Sequence, residues 1–435
     1  MKKIMKHLVM LLMVTAFIVN AVGCGAEQPS NDNTKETTEE NKNVVLKVWL
    51  PSHSDSENKA LKEIFEEFNT STEGRVKAEY EFIPRGNTFA YEDKVSAAVT
   101  SNSLPDVLMM DGPNISNYAY SGIIQSMDEY LSDEELSDFV DSVINQGTYE
   151  GKFYALAPSE SSVALFYNKK IIDAAGIKPP TKLENAWTWE EFLEAVKKVH
   201  KDGEVYGLNI HPDYGTGEWM TYMPTPFVWS NNGSIISEDG LKADGYINSP
   251  EAVEAMKVFQ EACKYANWQA TPTELEEGRA AFTISGTWII PNWENNYPDL
   301  EWGVTFYPYG KTPTSPSGDW SWGVSAQSSH AKEAAEFITF ITNTKNVVKF
   351  CQAAGKPPAR KSSFEIMSEW DEYPRSVLKQ QVLSTARPRP KTPAYPVVTQ
   401  EFASAAVDIV LGADVQERLN QAAEKIDENI RRNYK

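Results

Sequence analysis

The feature that most restricts this fold is a strand–helix–strand pattern beginning at Val44. Val44 to Leu50 (VVLKVWL) is a nearly continuous apolar run of strand length. Ala60, Leu61, Ile64, Phe65 and Phe68 then recur at helical spacing, and Val76, Ala78, Tyr80 and Phe82 alternate with period two. Such a unit sets two parallel strands side by side through a right-handed crossover. The pattern continues: YEDKVSAAV is helical, and PDVLMMDG holds a short apolar run closed by a turn, as expected of a strand buried on both faces. Farther on, TWEEFLEAVKKVH opens with Thr188 and Glu191 at capping-box spacing, and SPEAVEAMKVFQEACKY puts Pro250 just after the candidate cap Ser249. FTISGTWII and WGVTFYPY read as strands; HAKEAAEFITFIT and VQERLNQAAEKIDENI read as helices. No repeat of solenoid period interrupts this α/β order.

At 435 residues the chain exceeds one ordinary core, so two domains are expected. Its 61 acidic against 41 basic residues give a formal charge of −20, which argues against nucleic-acid binding, since that affinity comes largely from Lys and Arg neutralising phosphates.

The N-terminus has three physical parts: basic Lys2, Lys3 and Lys6, an apolar run from Leu8 to Val19, and small residues ahead of Cys24. This reads as an export signal rather than a span, since Asn20 ends the run before the ~20 residues that a membrane span requires. The residues before Cys24 resemble the bacterial lipobox, with Ala21 standing where that pattern usually has Leu. The resemblance implies cleavage after residue 23 and lipid attachment at Cys24; ordinary cleavage releasing a free protein is the alternative. Two or more acyl chains would anchor it stably at the extracytoplasmic face of the cell membrane. Residues 24–43 then form a polar tether too poor in apolar groups to order itself. Removing residues 1–23 leaves 38 basic against 61 acidic residues, a charge of −23.

Cys263 and Cys351 sit in helical patterns, where a buried inert thiol is the ordinary role. His53, His200, His211 and His330 are scattered, so neither a metal nor another cofactor is expected.

Many of the twelve tryptophans fall beside Gly, Pro, Asn or Asp, as in GEWMTYMPTPFVWSNNG, SGTWIIPNW and SGDWSWG. Ligands of α/β sheets bind beyond the carboxyl ends of strands, and indole faces suit the C–H faces of sugar rings while neighbouring polar groups bind hydroxyls. The alternative for each tryptophan is a place in the core or at a domain interface.

The order of segments resembles the extracellular solute-binding proteins of ABC transporters, in particular the sugar-binding group that includes maltose-binding protein. The resemblance runs from Val44 to Lys435 through VVLKVW, YEDKVSAAVTSNSLPDVLMMDG, KFYALAPSESSVALFYNKKIIDAAGIKPP, GRAAFTISGTWII, WGVTFYPYG, GDWSWGVSAQSSHAKEAAEFITFI and GKPPARKS. It implies a two-lobe type II periplasmic-binding-protein-like fold with a hinge crossed three times and the ligand in the cleft. Segment order places lobe one at residues 44–157 and 315–355 and lobe two at residues 159–312 and 358–435. The crossings fall at Pro158, in TPTSPSG and at Gly355 to Pro358. It further implies a monomer that closes around a carbohydrate, expected to be an oligosaccharide, and presents it to ABC permease subunits.

Trp288 occupies the position of the family's sugar-stacking aromatic. Asp111 and Asn114 follow the PDVLMMDG strand at its ligand-facing end, with an Asx turn or helix cap as the other role. Met110 stands where some relatives carry an aromatic. Ser159 and Glu160, with Ser161, follow the first crossing and serve either ligand hydroxyls or the hinge. Asp319, Trp320 and Trp322 form the densest polar-aromatic cluster; on a strand the two indoles share a face, and one of them is expected in the cleft. Trp229 with Asn231 is a further loop pair. Arg360 can fork onto a ligand or bridge the lobes, and His53 is a candidate by position. Two other roles compete: the ligand-binding part of a sensory system, which would use the same closure, and a secreted glycosidase using paired carboxylates. No nucleophile elbow, HExxH or P-loop appears, so no catalytic residue is assigned.

Overall fold

The computed structural model describes residues 43–84 and 90–434; Cys24 and the expected export signal lie outside the described residues. The first sheet has five strands in the order Val76–Ile83, Val44–Pro51, Val107–Asp111, Trp320–Val324, Ala155–Leu156. Val44–Pro51 is parallel to both its neighbours, whereas Trp320–Val324 enters from far along the chain and runs antiparallel. The crossover helix Asp55–Ser71 starts where Ser54 accepts the Glu57 amide, and buries Ala60, Leu61, Ile64, Phe65 and Phe68 against the sheet. All five residues of Val107–Asp111 are buried, as their unbroken apolar run requires.

The second sheet has the order Trp302–Thr305, Val163–Asn168, Ala280–Gly286, Tyr206–Asn209, and only its Tyr206–Asn209 edge pairs in parallel. Val163, Leu165 and Tyr167 join a second core with the helices Trp189–Val199, Pro250–Cys263, Tyr395–Val410 and Val415–Asn433. The capping box at Thr188 and the cap at Ser249 form as their spacing predicts. Cys263 and Cys351 are buried free thiols. No helix among the described residues is long and apolar enough to cross a membrane.

Two local readings change. Of FTISGTWII, only the residues up to Gly286 are strand; Thr287–Ile289 form a 3₁₀ turn that runs into the helix Ile290–Asn296. Trp219 and Trp229 lie in the short helices Trp219–Tyr222 and Thr225–Ser230, where their neighbours' Gly and Pro residues had suggested loops.

Three chain passages between the sheets lie side by side. Ser159 forms an antiparallel bridge with Pro358, the Glu160 amide donates to Pro357 O (2.8 Å), and Ala359 N donates to Pro158 O (3.3 Å). The Glu160 side chain joins the third passage, because Oε1 accepts the amides of Ser161 and Gly318, each at 2.7 Å, and Oε2 accepts the Ser142 hydroxyl. Gly318 has φ +106, and a Cβ there would lie 2.2 Å from Gln146 Oε1, so the close approach requires glycine. Beyond the last passage, residues 359–362 remain bonded to the first-sheet side through Val140 N to Ala359 O (2.9 Å) and Lys361 N to Asp138 O (2.7 Å).

Trp322 stands in the first core, fully buried and edge-on to Phe65 and Phe337 at 5.9 and 6.2 Å. Trp322→Ala is expected to lower the unfolding free energy by about 3–5 kcal/mol in denaturant titrations, with Trp322→Phe losing less.

Candidate ligand-binding site

A cavity of about 440 Å³ opens where strand ends from both sheets meet. On the first-sheet side, the chain leaves Val44–Pro51 into His53 and Ser54, and the first helical turn adds Glu57. Asp111 ends its strand directly opposite Trp320 in register, so the sheet itself sets an acid beside an indole. The Trp320 ring is edge-on to His53 (5.5 Å) and Tyr91 (5.8 Å). On the other side, the loop after Tyr206–Asn209 brings Asp213, Tyr214, Gly217 and Glu218, the next helix brings Trp219 and Tyr222, and the turn after Ala280–Gly286 brings Trp288.

The second-sheet wall is aromatic. Trp219 and Trp288 meet edge to face at 6.0 Å, and Tyr214 meets Trp219 at 5.2 Å. Their polar atoms are held by the protein: Trp219 Nε1 donates to Ile210 O (2.7 Å) and Trp288 Nε1 to the Tyr214 hydroxyl (3.2 Å). Burial raises the Tyr214 phenol to about 12. The Trp288 ring folds back over Gly286, where a Cβ would lie 1.9 Å from it. A side chain at position 286 therefore has to displace the indole.

The charges form two internally compensated clusters. Arg389 forks onto Asp111 through Nη1 (3.0 Å) and Nη2 (2.7 Å), reaches Glu218 through Nη1, and lies 4.3 Å from the Tyr222 ring centre. Burial opposes the guanidinium charge, yet Asp111 and Glu218 outweigh it and hold the group well above its ordinary range. Burial also pushes the Glu218 carboxyl up, against the pull of Arg389. In the second cluster Lys356 Nζ lies 3.2 Å from Glu57 and 3.3 Å from Asp319, and Ser159 Oγ donates to Asp319. Burial alone would favour the neutral amine; Asp319 and Glu57 reverse this, so Lys356 titrates above 10.5.

Of the residues singled out in the sequence, His53, Asp111, Trp288, Asp319 and Trp320 line one cavity, and Ser161 joins them. Ser159 and Glu160 stand behind its wall in the passages described above. Asn114 begins the helix Asn114–Tyr120, outside the lining. Trp229 is buried beneath the Arg387 guanidinium (4.9 Å), and Asn231 Nδ2 bonds to Glu251 O and Glu254, each at 2.9 Å. Trp322 shares a sheet face with Trp320 but lies in the core, covered by Phe65 and Phe337 of the overlying helices. Arg360 is held by Asp138 (3.0 Å), Glu135 (3.2 Å) and Thr342 O (2.6 Å), against Phe139. Sequence reasoning assigned no site role to Glu57, Tyr214, Glu218, Tyr222, Lys356 or Arg389. For the second-sheet group the available signal was HPDYGTGEWM, a Gly-rich stretch leaving a strand.

Two sheets joined by three adjacent passages, with a polar and aromatic cavity between strand ends, define a two-lobed binding protein. The chain belongs to the bacterial extracellular solute-binding protein family, whose profile it matches over residues 63–376. It is 27% identical over 337 residues to the galactooligosaccharide-binding protein of Bacillus subtilis (strain 168), covering 74% of this chain and 76% of that one. It is 25% identical over 355 residues to the sn-glycerol-3-phosphate-binding periplasmic protein of Brucella abortus (strain 2308), covering 76% and 78%. Its fold is similar to that of an ABC substrate-binding protein from Listeria monocytogenes solved in complex with cycloalternan, with TM-score 0.76, 21% identity and coverage of 89% of this chain and 99% of that one.

Because the folded-state pKa of Lys356 is raised, its charge contributes stability that is complete below 10.5 and is lost as pH rises through the folded value. Lys356→Met, which leaves Glu57 and Asp319 buried without their cation, is expected to be destabilised by about 3–5 kcal/mol at neutral pH. Denaturant titrations above pH 10.5 should show the gap between the two proteins narrowing.

Proposed function

We propose that this protein captures a neutral carbohydrate, in particular an oligosaccharide, outside the cytoplasm and delivers it to an ABC permease by closing its lobes around it. The observation that carries this reading is the combination of stacking surfaces with cations already neutralised. Trp219, Trp288 and Trp320 with Tyr214 and Tyr222 offer ring faces and edges, while the carboxylates and hydroxyls among them accept or donate hydrogen bonds to sugar hydroxyls. Arg389 and Lys356 are each shared between two carboxylates, and the lining holds five acidic side chains in all: Glu57, Asp111, Asp213, Glu218 and Asp319. Among the described lining residues, a phosphate ester would meet that negative excess with both Arg389 and Lys356 already engaged by carboxylates. This favours the galactooligosaccharide-binding relative over the glycerol-phosphate-binding one as the guide to the ligand.

A ligand that touches Trp288 on one wall and Trp320 or Asp111 on the other favours the closed state by its differential affinity. The protein acts as a monomer, binds its ligand without transforming it, and is held to the membrane by lipid on Cys24. Transport is preferred to sensing because the relatives include a protein described as an ABC substrate-binding protein.

Neutral oligosaccharides, including galactosyl and glucosyl series, are expected to change tryptophan fluorescence and raise the melting temperature of the purified protein, with sn-glycerol 3-phosphate inert. Trp288→Ala is expected to weaken binding by roughly 1–3 kcal/mol, and Gly286→Ala to weaken it in the same direction by displacing the indole. Binding of the phosphate ester with no sugar response would overturn the ligand class, and cleavage of a bound sugar would overturn the non-catalytic role. Cys24→Ala should move the protein out of the membrane fraction; unchanged fractionation would remove the anchor.

A further inference from the structure

Behind the Tyr214–Trp288 pair lies a second cavity of about 190 Å³, whose polar lining comes from Asn209, His211, Glu276, Thr283 and Asn292. Tyr214 and Trp288 line both cavities, so their indole-to-phenol hydrogen bond of 3.2 Å acts as a partition. The chamber is polar in a directed way. Asn209 is 1% exposed; its Oδ1 accepts the His211 amide at 2.7 Å, which fixes the side-chain orientation and leaves Nδ2 with no acceptor among the described residues. His211 uses Nδ1 toward Asp213 (3.2 Å) and stacks on Tyr214 at 4.4 Å, which leaves Nε2 for another partner. One Glu276 oxygen accepts the Trp293 indole N–H (2.5 Å), and its carboxyl borders the chamber, where it can accept a ligand hydroxyl.

Asn209 lines the chamber, where its amide can donate to a hydroxyl of whatever fills it. The volume corresponds to about six waters at ~30 Å³ each, or to a single pyranose ring. Trp293, Leu275 and Ile289 supply an apolar floor for ring C–H groups. Asn209, His211 and Glu276 supply hydroxyl partners.

We propose that this chamber is a separate subsite for one additional neutral ring, a terminal or branching unit of the sugar whose body lies in the larger cavity, and that this ring displaces the Tyr214–Trp288 partition. The inference rests on the carbohydrate reading above.

The test is calorimetric titration of the full folded protein with maltose, maltotriose and maltotetraose and with a matching galactosyl series. Affinity is expected to step up by about tenfold at one chain length. Asn292 is exposed, so Asn292→Trp can fill the chamber without disturbing the core. It is expected to erase that step while leaving shorter sugars within about twofold of their original affinity. Glu276→Gln keeps an acceptor for Trp293 and should reduce the step without abolishing it. Melting curves of both variants verify folding. Trp288-dependent sugar binding with no length step, or a step that Asn292→Trp leaves intact, overturns the subsite alone. Binding of no sugar by the unmodified protein overturns the carbohydrate reading and this inference together.

Discussion

The arrangement depends on one buried carboxylate. Glu160 is 1% exposed and receives the amides of Ser161 and Gly318 and the hydroxyl of Ser142, so a single side chain fastens chain passages that are far apart in sequence. Burial raises its pKa, and the three donors oppose that rise. A carboxylate is costly to desolvate unless several donors surround it. Here two of the donors are backbone amides of adjacent chain passages, and the third is the hydroxyl of Ser142 on the helix Asp141–Gly147. Ser161 and Gly318 in this seam also line the cavity.

From that seam the site's chemistry follows. Ser159 and Lys356 belong to the passages and meet on Asp319, the residue that leads into the Trp320 strand. Arg389 follows the short strand Ala386–Pro388, which pairs with Ser315–Ser317, so it too is placed by the seam, and it reaches Asp111 on one sheet and Glu218 beside the other. Each cation consequently has a structural duty. The surfaces left for a ligand are indole and phenol rings together with the unshared lone pairs of carboxylates and hydroxyls. On the proposed reading, that surface suits a neutral polyhydroxylated molecule.

Much of the fold was legible because its signals are local. The helix Asp55–Ser71, the capping box at Thr188 and the fully buried strand Val107–Asp111 each follow from spacing within a dozen residues or so. The candidate site was legible where an aromatic or acid stands at or just beyond a strand end, as with Asp111, Trp288 and Trp320. Trp320 and Trp322 shared one reading, yet the cavity takes only Trp320: their side chains share a sheet face, and the helix-covered part of that face claims Trp322. Lys356 and Arg389 escaped notice because their roles depend on partners hundreds of residues away along the chain. Arg360 offered the same kind of signal as Arg389 and is consumed by Asp138 and Glu135. No local pattern separates the two arginines; the topology of the passages does.

The most direct measurement is a crystal structure of the protein with a bound oligosaccharide. The account predicts one sugar ring lying against Trp288 while hydroxyls of the same molecule contact the Asp111–Trp320 wall, with the Arg389–Asp111 and Lys356–Asp319 pairs intact. A sugar that rests on one wall alone, or an anionic group that draws Arg389 or Lys356 away from its carboxylates, would contradict it.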